Sequence, residues 1–145
     1  MVAPETTPAP EELPPQAAVE PEPEPQGDPL ERSAELLERG DDEDAPAAQR
    51  RAHYEQALAL AEQVIATDRE NADARELAAI CNVRLGDLDH EAGDLGGAKY
   101  YFNAALTIAE RMIESDPDNG GAIRAIAAAH LRLAGVATAA GEPAE

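Results

Sequence analysis

The segment AEQVIATDREN at residues 61–71 returns, lightly edited, as AERMIESDPDN at residues 109–119, a spacing of 48 residues. Laying residues 54–71 on residues 102–119 gives seven identities: Ala57/Ala105, Leu58/Leu106, Ala61/Ala109, Glu62/Glu110, Ile65/Ile113, Asp68/Asp116 and Asn71/Asn119. Tyr54/Phe102, Leu60/Ile108 and Val64/Met112 are conservative pairs at the same offset. The register then continues through Ala79/Ala127, Arg84/Arg132, Leu85/Leu133, Ala92/Ala140 and Gly93/Gly141. Biased composition imitates one such match, but it does not keep phase across a turn and both flanking segments. The chain is therefore built from a repeated supersecondary unit, which must bury its apolar face on a neighbouring unit.

The period inside the unit is helical. Ala74, Ala78, Cys81, Leu85, Leu88 and Ala92 follow steps of three and four, and Ala122, Ile126, Ala129, Leu133, Val136 and Ala140 repeat the pattern. Between them Ala98, Phe102, Ala105, Ala109 and Met112 form a third stripe. With no Trp, one Phe and three Tyr, the core must rest on Ala, Leu, Ile, Val and Met, which suits close helix packing. No run alternates with the period of two that a strand needs. Punctuation divides the chain into five helices. Asp28-Pro29 opens the first and Gly40 is read as its C′ stop; Asp44 and Pro46 open the second, with Pro46 in the first turn. Later breaks fall at residues 68–71, Gly93, residues 116–119 and Gly141.

Residues 1–28 are a different material. Nine of the twelve prolines lie in residues 1–29, interleaved with Glu5, Glu11, Glu12, Glu20, Glu22 and Glu24 and with no Lys or Arg. Such a segment repels itself and cannot donate a regular backbone ladder, so a disordered, acidic Pro/Glu-rich tail of polyproline character is expected, acting as spacer or tether rather than ligand. At ~3.1 Å per residue it could reach ~90 Å. The helical domain is placed at residues 29–141, with residues 142–145 as its end. The whole chain has formal net charge −19, and beyond residue 29 it still carries 23 acids against 11 bases. That field repels phosphates, so nucleic acid and anionic membrane are poor partners, and the acidity is read as solubility ahead of selection for a basic protein partner. No basic n-region precedes an apolar run and no stretch is read as reaching transmembrane length, so cytoplasmic residence is the default expectation. The single Cys81 permits no internal disulfide, and its place on an apolar stripe makes it a buried, inert thiol.

From the turn AGDLGGAKYYFNAAL through DPDN the chain resembles the tetratricopeptide repeat: a Gly-Asp turn, Ala98 at the small position, aromatic Phe102, Ala105, then the Pro117 break. Residues 75–119 are similar to one whole unit, and the likeness covers residues 50–141. The usual unit has ~34 residues; here it is 48, as in elongated bacterial arrays of that superfamily. The first helix lacks the usual aromatic and is short, and residues 40–48 exceed the usual turn. The resemblance implies an all-α fold: a short, right-handed α-solenoid of antiparallel helix pairs, two pairs and a lone closing helix. It also implies that the first helix of each pair lines a concave ligand-binding face, on which Glu76, Ile80, Arg84, Asp87, Arg124, Ala128 and Arg132 would form a partner-binding groove. The competing reading is that each arginine only pairs with a nearby carboxylate, Asp87 in the case of Arg84.

No catalytic constellation emerges. His53, His90 and His130 do not recur in register and show neither H-x-x-x-H nor H-E-x-x-H spacing. His90-Glu91 beside Asp87 and Asp89 is the best metal-like cluster, and a solvated acidic helix end explains it equally well. Residues 93–97, GDLGG, lack the Lys-Ser/Thr of a phosphate loop and any preceding strand. Ser33 and Ser115 sit in no nucleophile elbow. In KYYF (residues 99–102) two of the three aromatics are expected to face neighbouring helices. The expectation is thus a non-catalytic protein–protein interaction module without cofactor or metal, docking a peptide or helix. The alternative is a homo-oligomerising subunit, a homodimer, that completes its stack with a second copy through Ile123, Ile126 and Leu133.

Overall fold

The computed structural model describes residues 21–142. Their backbone forms α1 (Pro29–Gly40), α2 (Ala47–Thr67), α3 (Ala72–Glu91), α4 (Leu95–Ser115) and α5 (Gly120–Ala139), and no strand occurs among the described residues. The all-α expectation of about five helices holds.

The repeated Asp-x-x-Asn turn has the same physical job both times. The amide of Asp68 closes α2 on Val64 O and that of Asp116 closes α4 on Met112 O, each at 2.8 Å. Three residues on, the Asn71 side chain accepts from Ala74 N and the Asn119 side chain accepts from Ala122 N, each at 2.9 Å, capping the next helix. Such a cap stabilises a helix by about 1 kcal/mol. Asp94 caps α4 through Gly97 N at 2.9 Å. At α1, Asp28 accepts from Leu30 N and Glu31 N while the Asp28 amide donates to the Glu31 carboxylate, a complete capping box.

Two boundary expectations need correction. Gly40 is the last residue of α1 and does not take the left-handed conformation, which among the described residues only Gly27, Gly93 and Gly141 adopt. Its reason is packing: a Cβ there would lie 2.4 Å from Cε1 of the Tyr54 ring. Pro46 is the cap of α2 and not a first-turn residue, and no side chain, Asp44 included, bonds the freed amides.

Each helix packs chiefly on its sequence neighbours, and beyond those contacts α3 touches α1 on one side and α5 on the other. Small residues make the close approach possible: Ala57, Ala61, Ala74, Ala78, Ala98, Ala105, Ala109, Ala122 and Ala129 are all fully buried. The aromatics fill the remaining volume. Tyr54 sits with Leu85 and Leu88, and Phe102 sits with Ala98 and Val136. Gly86 admits Phe102 as Gly40 admits Tyr54, since a Cβ on Gly86 would lie 2.5 Å from Cε1 of that ring. The α4 stripe is buried at all five expected positions, whereas Ala92 and Ala140, at the ends of the other two stripes, are exposed. Cys81 is buried, and that burial pushes its thiol up to about 12. Of KYYF, Phe102 is buried, Tyr101 packs on the Tyr54 cluster and Tyr100 is exposed.

Helix α5 corrects a further expectation. By length and composition alone it is long and apolar enough to cross a membrane, with 20 residues and a mean hydropathy of 1.2. Its Ala122, Ala129 and Val136 are nevertheless buried, with Ala122 and Val136 packed on α4 residues. Ile126 and Leu133, expected at a free face for self-association, also pack toward α4 residues, and only Ile123 of that trio is exposed. Leu131, at 73% exposure, was not foreseen. Residues 1–20 of the tail lie outside the described residues, whereas Glu22 and Pro23 are hydrogen-bonded to α1 and α2.

Candidate functional site

Helices α3 and α5 each pack on α4 and also touch one another, and residues of both line a common hollow of about 310 Å³. Of the residues chosen from the sequence, Glu76, Ile80 and Arg84 line it from α3, and Arg124, Ala128 and Arg132 line it from α5. The floor was missed. Ala79 and Val83 of α3, Met112 of α4, and Gly121 and Ala125 of α5 complete the lining. Gly121, Ala125 and Ala128 form a row of small residues at steps of four and three, a signal that could have found the α5 wall. Glu76 closes one end, its Oε1 lying 2.7 Å from where a Cβ on Gly121 would stand.

Asp87 belongs elsewhere. It lines an adjoining polar hollow with Asp41, Glu43, Arg50, His90 and Glu91. Its carboxylate accepts from Arg132, Nε–Oδ1 2.7 Å and Nη2–Oδ2 3.1 Å. Arg84 makes the same forked contact to Asp41, Nε–Oδ1 2.8 Å and Nη2–Oδ2 3.4 Å. The pairing expected between Arg84 and Asp87 is thus corrected: Arg84 reaches back to the residue that follows α1, and Arg132 to an aspartate within α3. Both aspartates directly follow a glycine that seats an aromatic ring, Gly40-Asp41 under Tyr54 and Gly86-Asp87 under Phe102. The two joints are one design, and only the first gains a phenol bond, Tyr54 to Asp41 Oδ1 at 2.7 Å. Burial first, then that bond, raises the Tyr54 phenol above its ordinary value.

These pairs set the electrostatics of the hollow. Two guanidiniums are held by aspartates, which fixes their planes and raises Arg84 further above its already high value. Nη1 of each makes no hydrogen bond among the described residues, so each guanidinium keeps donors to spare. Arg124 and Glu76 make no ion pair among the described residues. The result is an apolar floor between charged walls, suited to an apolar side chain carried on a polar backbone.

The other candidates come apart. Asp87 is paired with Arg132 and Asp89 with Arg51, so both aspartates beside His90 are engaged by arginines. Among the described residues no three His, Cys, Asp or Glu side chains converge as a metal site would require. Asn82, the partner of His130 in the repeat, is buried and donates to Ala78 O at 2.8 Å, whereas His130 is exposed. No protein-family model, curated protein or solved structure matches this chain.

Proposed function

We propose that this chain is a non-catalytic, tetratricopeptide-like α-solenoid of antiparallel helix pairs that docks a segment of a protein partner in the hollow between α3 and α5. The observation that carries this reading is the doubled joint: glycine under an aromatic, then an aspartate forked to the next arginine, in successive units. Repetition of the joint supports a superhelical stack, whose odd-numbered helices would share one concave face. An apolar partner side chain would rest on Ala79, Val83 and Ala125, and Arg84, Arg124 and Arg132 would orient its backbone or acidic groups. The acidic surround would draw basic flanks to the site and speed association. On this reading the module works in the cytoplasm, with α5 packed on α4 rather than spanning a bilayer.

The test is a peptide selected from a random display library on the full chain, with affinity then measured by calorimetry. Ala128→Trp fills the hollow and Arg124→Glu reverses its free charge. Each is expected to weaken binding by about tenfold or more, the equivalent of ~1.4 kcal/mol, with circular dichroism unchanged. Affinity unaltered in both variants removes the assignment. A second reading, self-association through α5, draws on exposed Ile123 and Leu131. Sedimentation of Leu131→Glu decides it: a dimer that this change dissolves supports self-association, and a concentration-independent monomer in the unaltered chain excludes it.

A further inference from the structure

The tail segment ahead of α1 does not behave as a plain spacer. Glu22 reaches α2, where its carboxylate lies 2.7 Å from His53 Nε2 and accepts from Gln49 Nε2 at 2.6 Å. Arg39 of α1 adds an ion contact to the same carboxylate at 3.9 Å. One residue on, the carbonyl of Pro23 accepts from Arg39 Nη1 at 2.7 Å. Beyond it, Pro25 and Glu24 close over a hollow floored by Leu36, Ala59 and Leu60.

The complementarity is chemical as well as geometric. Prolines have carbonyls but no amide hydrogen, and ionised glutamate side chains only accept, so a Pro-Glu-Pro segment is rich in acceptors and donates only through its glutamate amide. The receiving face answers with donors: Arg39, Gln49 and the His53 ring, which is 7% exposed on α2. Among the described residues His53 Nδ1 is buried with no partner, so Glu22 is the one group there that bonds this imidazole. A buried ring nitrogen without its bond is costly, and that ties the histidine to the segment. The segment is also regular. Glu20, Glu22 and Glu24 alternate with Pro21, Pro23 and Pro25, so a slide of two residues presents the same groups again.

We propose that the outer face of α1 and α2 is a docking site for short acidic Glu-Pro segments, and that residues 21–25 of this same chain are its resident ligand. Glu22 is the anchor and Arg39 the backbone clamp. The hydrogen bond from His53 holds the Glu22 carboxyl below its ordinary value. The groups facing it are His53 and Gln49 from α2 and Arg39 from α1, the last also paired with Glu35. A carboxyl depressed by docking favours the docked state above its free value. That preference is lost as pH falls through the depressed value, so acid releases the segment.

The experiment uses the full chain and a second version with residues 21–25 replaced by Ser-Gly-Ser-Gly-Ser, both followed by two-dimensional nitrogen-15 NMR. Glu22→Gln in the otherwise unaltered chain is expected to move the Arg39, Gln49 and His53 side-chain signals toward those of the replaced chain. A synthetic VEPEPEPQ peptide, the sequence of residues 19–26, should perturb those signals saturably in the replaced chain. It should bind the unaltered chain, whose site is filled, at least about tenfold more weakly, and a VQPQPQPQ control should lose about as much. Signals that ignore Glu22→Gln, or equal affinity for the two peptides, overturn the docking site. Equal affinity of VEPEPEPQ for the filled and emptied chains, or a dimer that becomes monomeric on replacement, overturns the intramolecular occupant.

Discussion

Gly86 is where backbone preference and packing oppose each other most cleanly. It lies inside α3, where alanine would favour the helix by about 1 kcal/mol over glycine. Against that, the new methyl would stand 2.5, 2.7 and 3.0 Å from three carbons of the Phe102 ring. The ring is 1% exposed and walled by Ala98 and Val136, with Leu95 and Leu133 beside them, so retreat means displacing α5. Overpacking of that kind costs roughly 1–3 kcal/mol. Gly86→Ala is therefore expected to destabilise the chain by about 1 kcal/mol after the helical gain is subtracted. In a Phe102→Leu background the clash is relieved, and the same substitution should be neutral or stabilising by up to about 1 kcal/mol. Urea denaturation of the four chains gives the coupling directly. Additive effects, or stabilisation by Gly86→Ala with Phe102 present, would refute the seat.

The Arg132–Asp87 pair is one-third exposed on each side, so a double-mutant cycle should return a coupling of about 0.5–1 kcal/mol that shrinks in high salt. No coupling at low salt would mean that the fork is not formed in solution. The thiol of Cys81 should react with an aromatic disulfide reagent only as the chain unfolds, and prompt modification of the native chain would contradict its burial. Since burial raises that thiol to about 12, its contribution is present below the ordinary thiol value and is lost as pH climbs toward the raised one. Native chains should accordingly lose stability to alkali in that window by a step that Cys81→Ala removes.

Local chemistry was legible and long-range pairing was not. The breaks at residues 68–71 and 116–119 were legible from residue type, and the structure adds that Asn71 and Asn119 there cap the helices that follow, each bonding an amide only three residues away. The α4 stripe follows from helical period alone. Gly40 was misread because a glycine at a helix end satisfies two physical demands, backbone freedom and close approach. Only the fold shows the Tyr54 ring beside it. The aspartate partners of Arg84 and Arg132 lie 43 and 45 residues away, beyond any spacing rule. Of the residues that the tetratricopeptide resemblance put on one face, six line the hollow between α3 and α5 and Asp87 does not, while the apolar floor of that hollow reads in sequence as ordinary core. Glu22 was hidden for a related reason: Pro/Glu composition argues for solvation and gives no sign of the donors on α1 and α2 that hold it.

The account rests on one joint built twice. Carbon-edited NOE spectroscopy of the intact chain tests it in a single experiment. Contacts are expected from the Tyr54 ring to the Gly40 Hα and from the Phe102 ring to the Gly86 Hα, both Hα signals shifted upfield by the adjacent ring. Observation of one contact without the other, or of neither, would contradict the claim that the two units share the same construction.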